Sequence, residues 1–274
     1  MNQAIALLNL THLRFRGPDA ERYLNGQVTQ QVEEIALTHS RYTFVCDAKG
    51  RILFDGYIHR DQEGYLLSVE GADSEEVFTR MDRYLIADDC ELTDESDRWG
   101  ISHQITHPDD SQVKEGLINR FHQSGRDHYL EGVALSELQS IAESGPTSTE
   151  LEDLRIKNGI ARLPDLQGAL PAETQLEESA VSFHKGCYLG QEVISRMKRA
   201  ARTNRKLTPL SLSESANELP LNFASENSDK TMLEVTSCSS IQNEEGFFPA
   251  LGYLSSKAED LASLSTPTGI RAKL

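Results

Sequence analysis

Between Arg41 and Val69 the chain alternates apolar and polar residues with a period of two, broken at regular places by turn signals. Arg41 to Cys46 is rich in β-formers, and Asp47-Ala48-Lys49-Gly50 is a turn. Arg51 to Arg60 then sets Ile52, Phe54, Gly56 and Ile58 against Leu53, Asp55, Tyr57 and His59. A third run, Gly64 to Val69, follows Asp61-Gln62-Glu63. Such a pattern folds only as an antiparallel meander with one buried face. The turn reads either as an ordinary hairpin with Gly50 at positive φ, or as a functional one that places Asp55 and the turn at the mouth of a ligand cavity.

The flanks are mixed. Ile5 to Arg16 reads as one opening strand, and Gly17-Pro18-Asp19 starts a short helix carrying Ala20, Tyr23 and Leu24. Ser74 to Ile86 is amphipathic, with Ser74 as the expected N-cap. Cys90 to Ser144 reads as a second β-and-helix unit, with a strand at Trp99 and a helix from Leu135 to Ala142. The tract from Glu143 to Thr149 reads as a linker, and Thr149 is the expected cap of a helix ending near Gly159. Leu163 to Ser179 reads as a long loop. From Arg205 on, short strands alternate with Ser, Asn and Glu clusters: 207–212, 232–237, 247–254 and 270–274. A small β barrel or sandwich is the natural product. Two regions result, 1–204 and 205–274.

The 274 residues carry 43 acidic and 27 basic side chains, a net charge of -16. That field repels nucleic acid and anionic membranes over the surface as a whole. One window departs from it. From Arg196 to Lys206 there are six cations (Arg196, Lys198, Arg199, Arg202, Arg205, Lys206) and no acid. It reads either as a solvated face or as a local anion site for a folate tail, a phosphate or an acidic partner. No apolar run approaches the length of a membrane span, and the first residues lack a secretory pattern, so a cytoplasmic location is expected. Cys46, Cys90, Cys187 and Cys238 are scattered without a C-x-x-C pair. They are expected to be reduced and mostly buried, with no stably bound metal.

Cys187 stands apart. It sits in Val181-Ser-Phe-His-Lys-Gly-Cys-Tyr-Leu-Gly-Gln-Glu-Val-Ile-Ser-Arg. Gly186 and Gly190 bracket the Cys187-Tyr188 pair, Lys185 precedes it, and Gln191 and Glu192 open a helix that buries Val193, Ile194 and Met197. A thiol beside a lysine and near a helix N-terminus is in a setting that favours thiolate. The plainer alternative is a cysteine packed behind a turn.

The octapeptide KGCYLGQE resembles the signature of the YgfZ family, folate-binding and tRNA-modifying proteins related to the aminomethyltransferase T-protein of glycine cleavage. RGPDAERYLNGQVTQQV, CDAKGRILFDGYI, RIKNGIARLPD and LPAETQLEESAVSFHKGCY are similar to further family segments, so the resemblance runs through most of 8–207. It implies an α+β, three-lobed clover-leaf fold around a folate-sized cavity, closed by a small C-terminal β barrel. It further implies a tetrahydrofolate-linked role in assembly or repair of iron–sulfur clusters in client enzymes, including enzymes that thiolate tRNA. A transferase of aminomethyl or methyl groups, and an adaptor without folate, are the competing expectations. On the leading one, Cys187, Lys185 and Asp55 carry the chemistry. Asp55, Tyr188, Gln191, Glu192, Arg196 and Arg199 hold the cofactor, and iron–sulfur client or assembly proteins are the partners. The chain departs from the family at Lys157, where a carboxylate is usual, and at Arg199-Ala200-Ala201. Lysine offers only donors, so a pterin edge gripped by that carboxylate would lose its acceptor.

Overall fold

The computed structural model describes residues 4–105, 118–120, 123–132, 135–200, 202–216, 218–225, 228–258, 264–267 and 269–274. In chain order the elements are β1 (Ala4–Leu7), β2 (Leu10–Arg16), α1 (Ala20–Gln27), β3 (Ser40–Cys46), β4 (Ile52–Asp61), β5 (Gly64–Glu70), α2 (Ser74–Asp82), β6 (Glu91–Asp94), β7 (Trp99–Ile105), β8 (Ile118–Arg120) and β9 (Gln123–Glu131). Next come α3 (Leu135–Ser144), α4 (Ser148–Lys157), α5 (Leu163–Leu166), α6 (Glu177–Ala180) and α7 (Gln191–Ala200). The chain ends with β10 (Arg205–Leu212), β11 (Leu221–Ser225), β12 (Ser228–Cys238), β13 (Phe248–Ser255), β14 (Leu264–Ser265) and β15 (Ala272–Lys273).

Three antiparallel sheets make three lobes. The first has the order β3-β4-β5-β2-β6, the second β1-β7-β9-β8, and the third β14-β11-β12-β13-β10-β15. The alternation of the meander is realised: Ile52, Phe54 and Ile58 are buried on one face of β4, while Asp55 and Tyr57 lie on the other. Phe54 and Ile58 join Leu13, Phe15, Leu67, Val69 and the helices α1 and α2 in the core of the first lobe. At about 25 cal/mol per Å² of apolar surface removed from water, this continuous cluster is the main stabilising element of the lobe. In the third sheet a bridge between Ser265 and Arg271 brings the two edges together, which gives it its barrel form. A separate cluster around Leu212, Phe223, Leu233 and Val235 fills it.

Several local expectations need correction. The opening segment is two strands in two sheets, because Asn9 at φ 58° turns the chain between them. β1 pairs with β7 and β2 with β5 and β6. Glu91–Asp94 likewise belongs to the first sheet, not to the second unit. Asp73, not Ser74, caps α2, its carboxylate accepting from the amides of Glu75 and Glu76. Thr147, not Thr149, caps α4 in a capping box with Glu150. Residues 163–179 are not a plain loop but α5, a 3-10 turn at Pro171–Glu173 and α6. Of the cysteines only Cys46 is buried; Cys90 and Cys238 are half-buried and Cys187 is exposed, all four free.

Candidate functional site

Polar side chains that point away from the first lobe's core need somewhere to go. The outer face of β3, β4 and β5 carries Tyr42, Asp55, Tyr57 and Glu70, and here the lobes meet around a cavity of about 660 Å³. Arg120 from β8, Arg155 from α4, Arg162, and Gln175, Leu176 and Ser179 near α6 complete its wall. The size lies within the range of small-molecule sites. Tyr42 and Tyr57 face each other in register across β3 and β4, their rings 5.1 Å apart. The Tyr42 hydroxyl donates to Asp55 Oδ2 at 2.8 Å. Burial, helped by the nearby Glu70 carboxylate, pushes Asp55 up to about 6 against the pull of that hydroxyl. A carboxylate near 6 can hold or release a proton at neutral pH. Burial also pushes the Tyr42 phenol well above its ordinary value, so it stays a donor.

The signature segment lies at a different place. It begins two residues after Ser179 of the cavity wall and ends on the surface. The Ser182 amide donates to Thr29 O and the Leu189 amide to Gly26 O. Between them Lys185 is buried, and its Nζ donates to the carbonyls of Asn25, Val28 and Gln30 at 2.7, 2.9 and 2.8 Å. These carbonyls lie at and just beyond the C-terminus of α1, where a cation is favoured. Burial pulls Lys185 down to about 7, yet three acceptors require three donors, which only the ammonium supplies. Gly190, at φ 85°, packs on the 47–50 turn so closely that a Cβ would stand 2.6 Å from Asp47 O. The loop is thus clamped at both ends, and Cys187 stands exposed between the clamps.

Of the residues expected to bind a cofactor, only Asp55 lines the cavity. Tyr188 is buried in the cluster below the loop, with Lys185 Nζ 5.0 Å from its ring centroid. Gln191 Nε2 donates to Gly186 O, and Glu192, Arg196 and Arg199 are exposed on α7. That helix buries Ile194 fully but Val193 and Met197 only in part. Lys198 pairs with Glu177 at 2.9 Å, and Arg205 with Glu173 and Glu234. Lys157 is exposed at the end of α4 and is not part of the cavity wall, so the departure there leaves the wall unchanged. Ala201 lies outside the described residues. Tyr42, Tyr57, Glu70, Arg120, Arg155 and Arg162 were not expected from the sequence. The alternation of β4 placed Tyr57 on the face of Asp55, and that was the one usable signal.

Residues 3–109 match the GCVT N-terminal domain family. The likenesses support a YgfZ-like, GcvT-related protein. It is 28% identical over 209 residues to an iron-sulfur cluster assembly factor IBA57 homolog, mitochondrial, from Pyricularia oryzae, covering 70% of this chain and 53% of that protein. It is 25% identical over 229 residues to the tRNA-modifying protein YgfZ of Escherichia coli K12, covering 74% of this chain and 69% of that one. The alignment thus spans about half the length of the fungal relative. The fold is that of the glycine cleavage system aminomethyltransferase T from Bartonella henselae, with a TM-score of 0.77 at 13% identity over 98% of this chain and 83% of that one. Among the described residues no three or more His, Cys, Asp or Glu side chains are grouped to hold a metal ion, and no helix is long and apolar enough to cross a membrane.

Proposed function

We propose that this GcvT-related chain binds tetrahydrofolate in the cavity between its lobes and serves as an accessory factor in iron–sulfur cluster assembly or repair, with Cys187 as its working thiol. The observation that carries the reading is the cavity itself. Its volume of about 660 Å³, a tunable carboxylate, two facing tyrosines and arginine donors suit a planar polar heterocycle. The names of the relatives, one a cluster assembly factor and one a tRNA-modifying protein, supply the process. Tetrahydrofolate, when bound, supplies nitrogens able to carry a one-carbon unit. Asp55 holds or releases a proton beside it, and Tyr42 orients that carboxyl. Lys185 acts by holding the loop, since its three donors are committed to carbonyls. Cys187 and the cations of α7 (Arg196, Arg199) form a surface for an iron–sulfur client in the cytoplasm, and an effect on tRNA follows through such a client. No broad nucleic-acid contact fits a net charge of -16.

Two measurements test this. Tetrahydrofolate titrated into the protein binds saturably, and binding strengthens as pH rises through about 6, where Asp55 ionises. A titration with no saturable signal removes the folate reading. In cells lacking the protein, Cys187→Ala restores less than about a tenth of client activity although the fold is retained, because the side chain is exposed. Full restoration by that variant would sink the thiol role.

A further inference from the structure

The first and second sheets face each other, and ring and polar contacts join them. The Arg14 guanidinium of β2 lies over the Trp99 ring of β7, 5.3 Å from its centroid. His59 of β4 stacks on Tyr129 of β9, with ring centroids 4.0 Å apart. Ser40 Oγ of β3 bonds His59 Nδ1 at 3.0 Å and stands 3.4 Å from the Tyr129 hydroxyl. Arg120 of β8 lies over Tyr57 of β4, 4.3 Å from the ring centroid, and pairs with Asp127 of β9, which also bonds His103 of β7. Arg120 and Ile118 line the cavity, so the docking of the second sheet closes one of its walls.

Two histidines of the first sheet are enclosed in this layer. His12 on β2 is wholly buried. Its Nδ1 lies 2.9 Å from Ser68 Oγ of β5, and its Nε2 is enclosed without a hydrogen-bond partner among the described residues. An imidazolium has two N–H groups, so a protonated His12 would bury a charged donor with no acceptor. Arg120 of β8 and Arg14 of β2 oppose a proton on His12, while Asp94 of β6 and Glu95 just beyond it favour one. Around His59, Arg14 and His39 oppose a proton, while Asp61 on its own strand and Asp127 of β9 favour one. Burial outweighs these charges and pulls both rings down to about 4. Each ring is therefore neutral while the sheets are docked, and each returns to its ordinary value of 6.5 when they part.

We propose that the docking of the second sheet on the first is a proton-sensitive latch on the cavity wall, held shut by neutral His12 and His59 and loosened when they take up protons. The stabilisation is present in full above the ordinary value of 6.5 and is lost as pH falls from there toward 4. At about pH 5 the docking equilibrium falls about thirtyfold for each ring, and about a thousandfold for the pair. Loosening withdraws Arg120 from Tyr57 and opens the wall. The latch does not depend on which ligand the cavity holds.

The chain carries its own reporter, because its single tryptophan is Trp99 in this layer. The Trp99 indole donates to Glu95 Oε2 at 2.7 Å. Burial opposes the charge on Glu95, but the hydrogen bonds from Trp99 and Arg16 hold it at about 2, so it stays ionised across the range tested. Acrylamide quenching of Trp99 in the full chain is read from about pH 8 to about pH 5, with far-ultraviolet circular dichroism on the same samples. In the wild type the quenching constant is expected to rise at least about twofold at the acid end while the circular dichroism stays constant. His12→Gln and His59→Gln cannot take up the proton; each moves the rise to lower pH, and the double variant abolishes it. Wild-type quenching that stays flat overturns the proposal. So does a rise that the double variant retains, and so does one that coincides with loss of the circular dichroism signal, which is unfolding of the whole chain. If the double variant does not fold, the single variants decide, and either one that folds and leaves the rise in place overturns the proposal.

Discussion

Lys185 carries an ammonium into a buried position and surrounds it with three backbone carbonyls. Two desolvated partners explain its neighbourhood better than reactivity does: the carbonyl ends of α1 need donors, and a buried cation needs acceptors. Each would be costly alone. Lys185→Met fits the stem of the side chain but strips three carbonyls of their partner, so a loss of about 2–4 kcal/mol is expected. Chemical denaturation compared with Cys187→Ala checks it, since the exposed thiol should cost less than about 0.5 kcal/mol. Equal midpoints for the two variants would contradict the bracing role. The spacing of Lys185 from Cys187 suggested a pair; the side chain in fact reaches back to residues 25–30.

The signature loop is an element held by glycine geometry rather than by regular structure. Gly190 lies at φ 85° with the Asp47 carbonyl and the Gly50 backbone where a Cβ would go. Gly50, at φ 73°, receives Ile194 and Val193 of α7 in return. The two backbones pack because neither has a side chain. Gly190→Ala must therefore move the loop or the turn, and a cost of about 2–4 kcal/mol is expected. Gly186 is also in the signature, yet a Cβ there meets nothing within 4 Å and its φ is not left-handed. Gly186→Ala should change stability by less than about 1 kcal/mol, as thermal unfolding of the two variants will show. The octapeptide thus mixes a glycine that docking demands with one that docking does not.

At the scale of the molecule, Arg155 joins the lobes. Its Nη1 donates to Asp165 Oδ2 at 2.7 Å and to Ile160 O, and its Nη2 reaches Ser237 Oγ in the barrel at 2.8 Å. Ser237 and Thr236 hydroxyls donate to the other Asp165 oxygen, and the Tyr253 hydroxyl donates to the Asp165 carbonyl. Arg155 also lines the cavity, so this knot ties the site to the barrel. Removing one member of a buried ion pair strands the other. Arg155→Met is expected to cost about 3–5 kcal/mol and to split calorimetric unfolding into two transitions, one belonging to residues 205–274. A single transition in that variant would count against the 1–204 and 205–274 division, which we carry as a proposal. A shared apolar cluster, with Phe44 and Ile194 on one side and Leu207, Leu251 and Tyr253 on the other, keeps the wild type together.

What the sequence by itself determined is what local spacing encodes. The period-two pattern of 51–60 decided which side chains of β4 are core and put Asp55 and Tyr57 together on the opposite face. The glycine of the 47–50 turn, the amphipathic α2 and the β-rich end after Arg205 were legible for the same reason, because each depends on neighbours a few residues away. Only the tertiary structure decided which strands share a sheet, because nothing in Ile5–Arg16 says that Asn9 sends its halves to different partners. It alone decided the cavity, whose wall draws Asp55 from the first sheet, Arg120 from the second and Arg155 from α4. It alone decided that Lys185 spends its charge on α1. Those pairings are set by desolvation, since buried charges and open carbonyls must find partners wherever the packing of three sheets brings them, and spacing along the chain holds no record of that.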